Sequence, residues 1–286
     1  MQFRLGCAVW AYPGWRGGFF PIGAQQNRML QLYGERMNTV EGNSVFYGVP
    51  SAAVLARWRE QTPDDFRFCP KIPRAISHDG ELAPEIPEAM RFFEHMHAGL
   101  GERLGPIFLQ LPPSYSPGLG ADLARLLNAW RRHTGHPLLV EVRHPMWFTD
   151  GPSQRLDTLL QRLGQGRVVL DTRAIYSGSD DPQSDNPRKK PKLPLHEVAL
   201  GRLAMVRFIS HPDRTRNLEL LSQWSETLHR WLSAGVEVYF FMHCPREEFS
   251  PGHARVLQRM LEARGAPVPQ LPWDRLPPEP TQVGMF

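Results

Sequence analysis

The stretch Leu138 to Trp147, LLVEVRHPMW, runs from three apolar residues into a carboxylate, a guanidinium and an imidazole. A strand places alternate residues on opposite faces, so Leu139, Glu141 and Arg143 share one side, with the charges gathered at the carboxyl end. Parallel α/β enzymes present their chemistry in this way. Desolvating Glu141 or Arg143 is costly unless each meets a partner or a ligand. The tip therefore reads either as part of a site or as a structural ion pair closing one end of the fold.

Outward from this stretch, eight strand-like runs follow one another, at about 3–10, 39–47, 66–72, 106–111, 137–143, 167–173, 204–210 and 236–243. Seven of the eight lead into a helical pattern: Asn27 to Met37, the run AAVLARWRE capped by Ser51, Pro84 to Leu104, Leu119 to His133, Ser153 to Leu163, Leu218 to Ser233, and His253 to Arg264. This alternation predicts a single closed (β/α)8 TIM-like barrel over residues 1–265, with a doubly wound sheet as the alternative. The exception follows strand six, where residues 174–203 are rich in turn formers and charges and read as a long loop over the carboxyl face. Residues 266–286 form a proline-rich tail expected on the surface or protruding from it.

Composition narrows the class. At 286 residues and 41% hydrophobic, the chain can bury a barrel-sized core. It has no apolar run of membrane-spanning length and no signal-like start, so it reads as cytoplasmic. Cys7, Cys69 and Cys244 are odd in number, far apart and set in apolar runs, which predicts buried thiols and not a disulfide framework. The net charge of +4 permits an anionic partner. The tract Arg188-Lys189-Lys190-Pro191-Lys192 reads either as a solvated loop or as a phosphate or nucleic-acid contact.

In a barrel of this register the last inward residues of the strands converge on one pocket. Parity along the runs selects Glu41 and Asn43, Lys71, Gln110, Glu141 and Arg143, Asp171 and Arg173, Arg207, Tyr239 and His243. Glu41, Lys71, Glu141 and Asp171 are the candidate catalytic groups, since carboxylates and an amine can move protons. Asn43, Gln110, Arg143, Arg207 and His243 are the candidate substrate contacts, the arginines suited to phosphate or carboxylate oxygens. The mixture points to a phosphosugar or nucleotide-like ligand handled without an obligatory metal or redox cofactor. A metal-dependent hydrolase or isomerase is the rival, drawing on Glu41, Glu141, Asp171, His144 and His243, but no local metal-ligand spacing occurs and the cations oppose a divalent ion. Lys71 opens a covalent route through a Schiff base if burial lowers its pKa, whereas carboxylates beside it would raise it. Tyr12, Trp15, Phe46, Tyr47, Trp147 and Phe148 stand just past strand ends as aromatic walls or as ordinary packing.

An ordered set of motifs, covering residues 3–262, resembles the YecE-like family, domain of unknown function family 72. The set comprises Trp15-Arg16-Gly17 with Phe20-Pro21, TVEGNSVFYGVPS at 39–51, Trp58 followed by TPDDFRF, and Lys71. It continues with LGPIFLQLPPSY at 104–115, VEVRHPMW at 140–147, Asp171, VRF at 206–208 and FFMHC at 240–244. The resemblance implies a TIM-like barrel and implies no reaction. Three positions depart from the family pattern: Gly6-Cys7-Ala8-Val9-Trp10 replaces a Gly-Thr-Ser-Gly-Trp type start, Gly42 stands where isoleucine is usual, and Met242-His243 replaces Asn-Asn. The first and last of these would alter one wall of the pocket.

The last residues, Gln282-Val283-Gly284-Met285-Phe286, resemble the peptide by which bacterial DNA polymerases and repair proteins dock on the sliding clamp. The sequence thus leads to a barrel enzyme acting on an anionic substrate, with a non-catalytic, nucleic-acid-associated protein docked on the clamp as the other reading.

Overall fold

In the computed structural model, which describes residues 2–185 and 189–276, all eight strand-like runs form strands. They are β1 Phe3–Cys7, β2 Thr39–Gly42, β3 Arg67–Pro70, β4 Ile107–Gln110, β5 Leu138–Glu141, β6 Gly166–Asp171, β7 Leu203–Ile209 and β8 Glu237–His243. The helices are α1 Met29–Gly34, α2 Ala52–Glu60, α3 Arg74–Ser77, α4 Ile86–Leu100, α5 Gly120–His133, α6 Asp150–Arg162, α7 Leu218–Ser233 and α8 Ser250–Ala263. Ser51 caps α2 as its position predicts, its side chain accepting from the Val54 N–H at 3.4 Å. None of the described helices is long and apolar enough to cross a membrane.

The strands do not close into the eight-stranded barrel that their number predicts. β1, β8, β7, β6, β5 and β4 form one six-stranded parallel half-barrel in that order, and β2 and β3 form a separate two-stranded sheet, so the fold is an open α/β fold. Side chains occupy the backbone groups that a β1–β2 ladder would need. Asn38 Oδ1 accepts from the Leu5 N–H at 2.8 Å, and the Tyr33 hydroxyl accepts from the Cys7 N–H at 2.7 Å while donating to the Thr39 carbonyl at 3.0 Å. Gly6 permits the approach, because a Cβ there would lie 2.0 Å from the Thr39 oxygen. Between β3 and β4, isolated bridges join Phe68 to Leu104 and Lys71 to Phe108 in place of a ladder.

Both faces of the larger sheet are buried, as parallel strands require. Leu138, Val140, Val169, Val206, Phe208, Val238 and Phe240 meet the helices on the outside. Cys69, Phe108, Leu139, Val168, Met205, Tyr239 and Phe241 fill the concave side. The three cysteines are buried free thiols. The proline-rich tail is not wholly peripheral: Leu271 is buried in the core, Trp273 meets Phe19 edge-on at 4.8 Å, and its N–H donates to the Arg36 carbonyl at 3.1 Å. The clamp-like peptide Gln282, Val283, Met285 and Phe286 lies outside the described residues.

Candidate functional site

The inward layer of the sheet changes from apolar to charged within one alternation. Beyond Cys69 comes Lys71, beyond Phe108 comes Gln110, beyond Leu139 comes Glu141, beyond Met205 comes Arg207 and beyond Phe241 comes His243. Glu41 of β2 joins them. Arg207 is the hub. Its Nε and Nη2 donate to the two oxygens of Glu41, each at 2.8 Å, and its Nη1 donates to Glu141 Oε2. The other oxygen of Glu141 accepts from Arg143 Nε at 2.7 Å, and His243 Nε2 lies 2.8 Å from Glu41 Oε2. Glu41 and Glu141 have no solvent exposure and Arg207 has 1%.

Charge compensation decides the protonation states. Burial opposes ionisation of Glu41, but Arg207 and His243 outweigh it and hold the carboxyl well below its ordinary range. Glu141 is likewise penalised by burial and pulled down to about 2 by Arg207 and Arg143. Burial pushes His243 down to about 4 against the pull of Glu41, so its ring is neutral at pH 7. An ionised Glu41 only accepts, so His243 Nε2 carries the ring proton. Both carboxylates are therefore committed to the arginines.

Above this network lies a cavity of about 430 Å³, lined by Lys71, Arg74, Arg143, Lys189, Lys190 and Arg207 and, among the described residues, by no carboxylate. Three of the five N–H groups of Arg207 bind Glu41 and Glu141, which leaves two outside those pairs on a residue that lines the cavity. Lys71 is 6% exposed and its ammonium stands 3.5 Å from the centre of the Phe46 ring. Among the described residues this ammonium has no hydrogen-bond or ion-pair partner. Burial lowers its pKa first and Arg207 lowers it further, outweighing Glu141, and the result is about 7. His78 is brought down to about 4 by burial and by Lys71. Phe46 and Tyr47 form an aromatic rim, with Tyr47 63% exposed.

Lys190 enters from the long segment between β6 and β7. The Tyr176 hydroxyl donates to its carbonyl at 2.5 Å and Gln183 Oε1 accepts from its N–H at 2.6 Å. Burial, then Arg207 and Arg143, lower its pKa to about 8. The neighbouring Lys189 pairs with Asp181. The basic tract is thus in part a wall of the cavity.

The structure brings together Glu41, Asn43, Lys71, Gln110, Glu141, Arg143, Arg207 and His243. It does not bring Asp171. In β6 the inward residue is Val168, which turns Asp171 outward, where it accepts from Trp224 Nε1 of α7 at 2.7 Å and pairs with Arg173. Asn43 Nδ2 donates to the Ala8 carbonyl at 3.2 Å. His144 caps the turn at Pro145–Phe148, its Nδ1 accepting from the Met146 N–H at 3.2 Å. Trp15 and Trp147 are buried in packing, not on the cavity. Strand parity missed Arg74 and His78, which come from α3 and the residue after it, and Lys190, which comes from a loop. Among the described residues no three His, Cys, Asp or Glu side chains gather as a metal-ligand set.

An open α/β fold with a cationic cavity at the carboxyl ends of its strands is the class these observations define. The model of the family described as Protein of unknown function DUF72 matches residues 4–278, and the chain belongs to that family. It is 35% identical over 244 residues to UPF0759 protein YecE of Escherichia coli K12, covering 84% of this chain and 86% of that protein. The counterpart from Escherichia coli O157:H7 is equally similar, at 35% identity. A solved DUF72 family protein from Enterococcus faecalis superposes with a TM-score of 0.69 at 18% identity, over 91% of this chain and 98% of that one. One from Thermotoga maritima gives 0.66 at 19% identity, over 92% of this chain and all of that one. At these identities the solved structures speak to the fold.

Proposed function

We propose that this protein is an enzyme acting on a phosphate- or carboxylate-bearing small molecule held in the cationic cavity. The supporting observation is the imbalance of charge: of the six cationic side chains that line the cavity, Arg207, Arg143, Lys189 and Arg74 pair with carboxylates that do not line it, while Lys71 and Lys190 meet no ion-pair partner among the described residues. Two largely buried amines without counter-charge are costly, and an anionic ligand relieves that cost. Arg143, Arg74 and the two free N–H groups of Arg207 would grip oxygens, and Phe46 and Tyr47 would cover a sugar or base. The volume suits a phosphosugar or mononucleotide. Lys71, whose amine is brought to about 7, is the reactive pocket group in this reading, in place of the ion-paired carboxylates.

The test is a thermal-shift panel of phosphosugars, nucleotides and their dephosphorylated counterparts. Phosphorylated members should raise the melting temperature and neutral ones should not, and Arg143→Ala should weaken binding roughly 10–100-fold, the loss of one charge-assisted contact. Equal response to neutral and phosphorylated compounds would remove the proposal.

A further inference from the structure

Only four of the 33 Lys and Arg residues are lysine, and three of those four, Lys71, Lys189 and Lys190, line this one cavity. Arginine supplies permanent charge and bidentate grip, and the chain uses it nearly everywhere. What lysine adds is an amine that can lose its proton and attack carbon. Lys71 has the setting for that chemistry: it is buried, it faces an aromatic ring, it has no carboxylate partner among the described residues, and it opens into a cavity whose arginines can hold an anion beside it. The carboxylates that would have kept it protonated are instead bound to Arg207 and Arg143. We propose that Lys71 is a nucleophilic amine that forms an imine with the carbonyl carbon of a phosphorylated aldehyde or ketone held in this cavity.

This inference rests on the anionic-ligand reading and adds the electrophile to it. The lone pair of Lys71 Nζ adds to the carbonyl carbon, and a proton passes from nitrogen to oxygen to give a carbinolamine. The C–O bond then breaks and the oxygen leaves as water with both hydrogens of the amine, so nothing is oxidised or reduced. Neutral amine is available for this: burial and Arg207 bring Lys71 to a pKa of about 7, so near neutrality about half of it is unprotonated. An ordinary exposed lysine offers roughly one neutral amine in a few thousand at that pH.

The probe is glyceraldehyde 3-phosphate followed by borohydride, which reduces the imine to a stable secondary amine, with peptide mass mapping of the four lysines. The expected result is an adduct on Lys71 at least ~10-fold above any other lysine, blocked by excess sulfate, absent with unphosphorylated glyceraldehyde at the same concentration, and falling in rate as pH drops below 7. Lys71→Arg should lose the adduct and still bind sulfate by calorimetry. Sulfate binding with no adduct on Lys71, or adducts spread over Lys189 and Lys192 alone, would overturn the imine and leave the anion site standing. Absence of both sulfate binding and adduct would overturn both.

Discussion

Lys71 shows how a single side chain is set by what its neighbours do with their charges. Glu41 and Glu141 are close enough to favour its proton, yet burial, Arg207 and Arg143 together prevail. Unfolded, a lysine keeps its proton to about 10.5, whereas in this fold Lys71 releases it near 7. Between those values the unfolded chain holds more protons, so the contribution of Lys71 to stability improves as pH rises from 7 to 10.5 and is worst below 7. Lys71→Met should therefore raise the melting temperature by roughly 2–6 °C at pH 6, with a smaller gain at pH 9.5. Calorimetric melts at the two pH values decide the matter, and an equal loss at both would make Lys71 a structural contact. This residue was visible in the sequence as an inward position on β3. The sign of its pKa shift was not, because it depends on which partner each carboxylate takes.

At the scale of elements, Arg207 does what a backbone ladder does not. From β7 it reaches Glu41 on β2 and Glu141 on β5, and so ties the two-stranded sheet to the six-stranded one through side chains. Arg207→Met leaves two buried carboxylates facing each other and should cost about 3–5 kcal/mol in a urea melt. Adding Glu41→Gln and Glu141→Gln to that variant should recover much of the loss, and no recovery would mean that the arginine acts by packing alone. Glu141, held at about 2 against an ordinary 4.5, adds stability that is complete above pH 4.5 and lost as pH falls toward 2. Alternation made Lys71, Gln110, Glu141, Arg207 and His243 legible because each follows an inward apolar residue, while Glu41 follows Thr39 on its own short strand. It failed at Asp171, since the run Val168-Val169-Leu170 is apolar on both faces and gives no parity. It failed again at closure, because the Tyr33 and Asn38 side chains that occupy the β1–β2 backbone groups lie outside both strands.

For the whole molecule, connectivity beyond the strands completes both the core and the cavity. Leu271 lies in the proline-rich segment yet is buried, so Leu271→Ala should cost about 2–5 kcal/mol, measured by denaturant melt, and an unchanged midpoint would contradict that packing. Composition suggested a peripheral tail because proline excludes helix and central strand, but it does not exclude a segment laid against the core. The basic tract was legible as charge, whereas the turn of Lys190 into the cavity depends on Tyr176 and Gln183 holding its backbone, which periodicity does not report. In the function proposed above, the charge of the cavity is there to receive an anion. Sulfate tests it most directly, since it does not titrate near neutrality, while Lys71 and Lys190 do, at about 7 and about 8. Calorimetric titration with sulfate at pH 6 and pH 9 should give one saturable site, tighter at pH 6, with proton uptake near pH 7.5 and a marked loss in Arg143→Ala. Binding that is absent at both pH values, or indifferent to pH and to Arg143, would contradict the account.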